Sequence, residues 1–108
     1  MILTRKTKER YKLKAGILQA LANPIRLMIV DYLSDGEQCV CKIVEAVKAE
    51  RTNVSKHLTV LSKTGILSSR KEGLQVIYKL NMPCALNFLS CSDKIIDDQI
   101  KHKMSLLR

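Results

Sequence analysis

The chain has 108 residues, 46% of them hydrophobic, with 19 Lys and Arg against 10 Asp and Glu and a formal net charge of +9. That length fits one compact domain, and the apolar fraction is too high for a disordered chain. No apolar run approaches the roughly 18 residues of a membrane span, and one Phe, three Tyr and no Trp leave little from which to build a base-stacking platform for single-stranded nucleic acid.

Residues 1–13 form a basic N-terminal segment without an apolar signal core or cleavage site, so the expected compartment is the cytoplasm. Helical spacing starts at 14–22, with Leu18 and Leu21 on one face. Asn23 and Pro24 then set a cap and a first helical position, and Ile25, Ile29 and Leu33 follow at four-residue steps. Asp35 and Gly36 mark a turn. Cys39, Val40 and Cys41 begin a short amphipathic helix that continues through Ile43, Val44 and Val47. A polar connection over 48–52 leads to a helix with Val54, Leu58 and Leu61 inward, and Gly65 stands where a left-handed cap is expected. The period then shortens to two. Val76, Tyr78 and Leu80 alternate with their neighbours, 66–70 is the partner strand, and Lys71, Glu72 and Gly73 form the hairpin tip. Beyond Pro83 one long helix is predicted, with Leu89, Ile96, Ile100, Met104 and Leu107 as a continuing apolar stripe.

A short helix, a tight turn and a second helix with a polar outer face make a helix-turn-helix, and a basic hairpin directly after it makes a wing. The outer face carries Thr52, Asn53, Ser55, Lys56, Thr59 and Lys63, with His57 on its shoulder. Short hydrogen-bonding side chains flanked by positive charge suit the major groove of duplex DNA. Arg70 and Lys71 on the wing are candidate contacts to phosphate or the minor groove. An isolated helix of this kind is more often a plain solvated face; the wing and the net charge favour DNA.

Three blocks in this order, ALANPIRLMIVDYL over 20–33, VSKHLTVLSKTGIL over 54–67, and RKEG over 70–73 followed by YKL over 78–80, resemble the ArsR/SmtB family of metal-responsive winged-helix repressors. The resemblance runs from about residue 14 to residue 80. It implies a mostly α fold with a small β-hairpin, a single winged helix-turn-helix domain over 1–108, and a homodimer built from the first and last helices. The last helix, 82–108, would be the dimerisation element, and the ligand would be double-stranded operator DNA of two-fold symmetry. The apolar stripe read above agrees with that dimer.

The pair Cys39 and Cys41 is similar to the Cys-Val-Cys element of the family's arsenic- and cadmium-sensing members. Thiolates prefer As(III), Sb(III), Cd(II) or Pb(II) to hard ions, and a helix N-terminus favours the thiolate. Arsenic-sensing members often carry a third cysteine one turn later, where this chain has Val44. The expected third ligand is therefore Cys84 or Cys91, from either protomer, with As(III) the leading inducer and no organic cofactor. Core packing beside Phe88 and Ile95 is the competing role for Cys91. The family's zinc and nickel sites use carboxylates and imidazoles on the last helix, but Asp97, Asp98 and His102 lack a second histidine to complete such a set. The alternative signal is a disulfide or polysulfide bridge joining Cys39 or Cys41 to Cys84 or Cys91. No enzyme is expected: Cys-x-Cys is not the redox Cys-x-x-Cys, no glycine-rich phosphate loop exists, and no acid–base group accompanies His57.

Overall fold

Thr4 caps the first helix, its hydroxyl oxygen accepting from the Thr7 amide at 3.2 Å. In this computed structural model, which describes residues 2–107, α1 spans Arg5–Leu21. It begins well before residue 14, so most of the basic segment is helical. Lys, Arg and Glu favour a helix without giving it an apolar period, which is why spacing alone missed this part. The outer ends of the 1–13 and 82–108 boundaries, residues 1 and 108, lie outside the described residues.

The Asn23 side chain accepts from the Ile25 and Arg26 amides at 2.9 and 3.2 Å and starts α2, Pro24–Leu33, as the sequence indicated. The chain bends 91° between α1 and α2. No single helix among the described residues is long and apolar enough to cross a membrane.

Strand β1 is only Gln38–Cys39, and α3 follows as Val40–Val47. Lys48 closes α3 in the left-handed region at φ +51°, and α4 runs Arg51–Lys63, so it starts inside the stretch 48–52 expected as a connection. Gly65 takes φ +84° after α4. Strands β2, Leu67–Glu72, and β3, Gln75–Leu80, pair antiparallel, and the three-stranded sheet has the order β1-β3-β2. The hairpin tip is Gly73, at φ +61°, with Leu74. Lys71 and Glu72 are paired strand residues and not the tip, because glycine in the first central position suits a two-residue hairpin turn.

The expected single C-terminal helix is two: α5, Ala85–Cys91, and α6, Asp93–Leu106. Side chains of Ser90, Cys91 and Ser92 each hydrogen-bond back to the carbonyl three residues earlier. These local bonds compete with the helical ladder where the helix breaks.

Val54, Leu58 and Leu61 of α4 meet Ile29, Val30 and Leu33 of α2 and Ile43 and Val47 of α3 in one core, closed by Ile66 and Leu67 of the wing base. Leu58 is 1% exposed. Leu58→Ala is expected to cost about 2–5 kcal/mol of unfolding free energy, read by denaturant titration. Nothing on α6 is buried, and α1 buries only Ala20 and Leu21. Both terminal helices therefore extend from the core, and the radius of gyration, 17.0 Å, exceeds the ~13 Å of a compact domain near this size.

Candidate nucleic-acid interface and thiol pair

Burial of Val54, Leu58 and Leu61 fixes the rotation of α4 and turns Thr52, Asn53, Ser55, Lys56, Thr59 and Lys63 outward, all exposed. Arg51, in the first turn and also exposed, joins this face, although it falls within the polar stretch 48–52 expected to be a connection. The Thr59 hydroxyl donates to the Ser55 carbonyl at 2.9 Å, which leaves its oxygen free to accept.

His57, on the shoulder of this face, is tied to a second helix through one side of its ring. Its ring is half-buried, and Nδ1 accepts from Arg26 Nε at 3.0 Å, while an Arg26 terminal nitrogen donates to the Ala20 carbonyl at 3.3 Å. Arg26 thus ties α4 to α2 and to the end of α1. An accepting Nδ1 puts the ring proton on Nε2, leaving that atom alone for DNA. Burial, then the Arg26 charge, holds the imidazole below its ordinary pKa. The unfolded chain therefore takes up this proton first as pH falls. The contribution of His57 is unimpaired above the ordinary value of about 6.5 and turns destabilising below it. Thermal midpoints between about pH 7.5 and pH 5.5 are expected to fall further for the native chain than for His57→Gln, whose amide oxygen keeps an acceptor for Arg26.

On the wing, Arg70 and Lys71 are exposed within β2. Arg70 is paired with two carboxylates: Glu37, before β1, at 2.7 Å, and Glu72 at 3.6 Å. Across the sheet, Cys39 of β1 and Arg70 of β2 face the same residue of β3, Ile77, so the three form one row.

Cys39 is the N-cap residue of α3 and Cys41 lies in its first turn, with the two Sγ atoms 2.6 Å apart and both thiols unbridged. Hydrogen bonding from Cys41 and then the Lys42 amide lowers the pKa of Cys39, whereas donating to Cys39 raises that of Cys41. The arrangement favours one thiolate, on Cys39, beside a protonated partner. Cys39 is half-buried and Cys41 exposed. Such an adjacent, accessible pair suits a soft, thiophilic ion in its donor type.

Cys84 caps α5 and Cys91 ends it, both exposed. The Cys91 thiol donates to the Phe88 carbonyl at 3.1 Å. Its neighbours Phe88 and Ile95 are each 61% exposed, so Cys91 is no core residue of the protomer. Among the described residues no group of three or more His, Cys, Asp and Glu gathers to hold a metal ion. One protomer thus brings Cys39 and Cys41 together but adds neither Cys84 nor Cys91 to them. Asp97, Asp98 and His102 likewise form no such group.

Comparison with known proteins gives a consistent picture. The sequence pattern described as the bacterial regulatory protein, arsR family, matches residues 23–69. An uncharacterised HTH-type transcriptional regulator of Methanocaldococcus jannaschii is 35% identical over 100 residues, covering 92% of this chain and 96% of that protein. An arsenical resistance operon repressor of Staphylococcus xylosus is 37% identical over 71 residues, covering 66% of this chain and 68% of the other. Among solved structures, a homodimeric winged helix-turn-helix DNA-binding domain from Mycobacterium bovis superimposes with a TM-score of 0.73 at 26% identity, over 92% of each chain.

Proposed function

The chain belongs to the arsR family of bacterial regulatory proteins, and on that premise we propose that it is a cytoplasmic, homodimeric repressor that leaves its operator when a thiophilic effector engages Cys39 and Cys41. The observation that carries the DNA part is the outer face of α4. Its short hydroxyl and amide groups and its cations stand clear of the core, with the basic strands of the wing beyond them. In this reading Thr52, Asn53, Ser55 and Thr59 meet base edges. Lys56, Lys63, Arg70 and Lys71, with Nε2 of His57, meet phosphates.

The uncovered apolar surface supports the dimer. Ile96, Ile100 and Met104 along α6 and Leu107 at its C-cap, with Leu18 of α1 and Phe88 of α5, are each more than 40% exposed. Covering them with the same helices of a second copy would set two α4 helices for successive half-sites about one helical turn apart.

The effector site is the thiol pair, with Cys84 or Cys91 of the partner protomer as a candidate third donor. Two thiols select As(III), Sb(III), Cd(II) or Pb(II) over hard ions. Cys39 belongs to the strand paired with β3 and Cys41 to the first turn of α3. Closure of both thiols on one centre would therefore shift the wing's inner strand and α3 together, and α3 packs on α4. A shift of this kind lowers DNA affinity only insofar as the effector prefers the shifted state.

Exposure of Cys41, Cys84 and Cys91, with Cys39 half-buried beside Cys41, also supports a second reading, in which the signal is a disulfide or polysulfide bridge involving these same cysteines. Titration of the preformed operator complex with arsenite, with Cd(II) and with a persulfide donor, followed by mass spectrometry, separates the readings. Release with a reversible metal adduct is expected. Release only with a covalent sulfur bridge would favour the second reading, and unchanged affinity throughout would remove both.

A further inference from the structure

The wing arginine is not free to meet DNA as it stands. Arg70 has the Glu37 carboxylate at 2.7 Å and that of Glu72 at 3.6 Å, so one positive charge lies among two negative ones. Lys12 with Glu9 and Lys42 with Glu45 are pairs three residues apart on their own helices. The Glu37–Arg70 pair is of another kind, because it joins the approach to β1 with the far strand of the sheet. The register explains the reach. Gln38 and Cys39 pair with Tyr78 and Ile77 on one edge of β3, while Arg70 pairs with Ile77 on the other. The guanidinium extends past the central strand to a carboxylate that β1 holds in place.

We infer that Glu37 is a positioning residue that latches Arg70 to the sheet, so that an operator phosphate must displace this carboxylate before the wing arginine engages. The inference rests on the proposed role of Arg70 as a phosphate contact. A carboxylate and a phosphate compete for the same planar fork of donors, and the pair sits at a half-exposed site where such interactions are modest and exchangeable. Glu72 is the looser partner at its longer distance and stays on the same strand as Arg70 in either state. Glu37 therefore sets how much of the wing's charge is available to DNA.

The test uses a labelled duplex enriched by this protein from a randomised library, with binding measured over a range of salt. Glu37→Gln is expected to tighten binding about three- to fivefold. The dependence of log affinity on log salt should stay nearly unchanged, since Arg70 reaches its phosphate in both complexes and the same number of phosphates is neutralised. Arg70→Gln should weaken binding. In the Arg70→Gln background, Glu37→Gln should change affinity by less than about 1.5-fold, because the group it restrains is gone. The latch is overturned if Glu37→Gln leaves affinity unchanged while Arg70→Gln weakens binding. It is equally overturned if Glu37→Gln tightens binding by the same factor in both backgrounds, which would be simple removal of a negative charge. Binding unaffected by Arg70→Gln would instead show that the wing contact itself is absent, and the latch would fall with it. Both side chains are 40–48% exposed, so the variants are expected to fold, and their thermal midpoints verify this.

Discussion

Lys56→Glu is expected to weaken binding to a selected operator duplex by about 100-fold or more, while the unfolding midpoint stays within a degree or two. Lys56 is exposed on α4 between Ser55 and His57, so its replacement disturbs no core contact. In a two-fold dimer the reversal occurs twice. Each copy removes a cation that releases a condensed counterion and adds an anion facing the phosphates. A loss of about 1.4 kcal/mol per protomer already amounts to a hundredfold. The salt slope should fall by about two units, since two phosphate contacts vanish. Asn53→Ala provides the contrast: a lost base-edge contact costs about 1–3 kcal/mol, relaxes sequence preference at one position per half-site, and leaves the salt slope nearly intact. Binding by Lys56→Glu at native strength would mean that α4 does not face the DNA.

Cys39→Ser is expected to abolish arsenite-induced release while operator affinity in the absence of effector stays within about twofold. Cys39 is the N-cap residue of α3, and serine is itself a favoured capping residue, so the fold has no reason to suffer. The chemistry has every reason to. Cys39 carries the lowered pKa, held there by the Cys41 thiol and the Lys42 amide, and the thiolate is the reactive and metal-binding form. Cys41→Ser should also remove high-affinity chelation, although a serine hydroxyl can still donate to Cys39 and keep it ionisable. Substitution of Cys84 and of Cys91, one at a time, identifies the third donor by which loss weakens the response. A Cys39→Ser chain that still released its operator on arsenite addition would relocate the sensor.

Much of this architecture was legible in the sequence because the signals are local. Asn23 and Pro24 announced α2, the Val54–Leu58–Leu61 spacing fixed the rotation of α4, and the two-residue period identified β3. The features that escaped are set by partners far along the chain. Strand β1 is two residues long, too short to show alternation, and exists through its pairing with Tyr78 and Ile77. His57 is drawn inward by Arg26 from another helix, and Glu37 gains its meaning only from Arg70. The start of α1 lacked an apolar period, although Thr4 ahead of a run of good helix formers was a usable cap signal. The break between α5 and α6 was also visible in principle, since Ser90, Cys91 and Ser92 all have short side chains able to bond back to the backbone. At the candidate site, spacing found the outer face of α4 and the thiol pair. Arg51 lay in the misread turn. Neither Cys84 nor Cys91 joins the pair within one protomer, and their spacing along the chain carries no signal of where they stand in three dimensions.

The most direct measurement is amide and side-chain NMR mapping of the labelled protein as a selected operator duplex is added. The largest shifts are expected on residues 51–63 and on the wing strands β2 and β3, with the Asn53 side-chain amide among the most perturbed. Shifts confined to α1 and α6, with the resonances of α4 unmoved at saturation, would contradict this expectation.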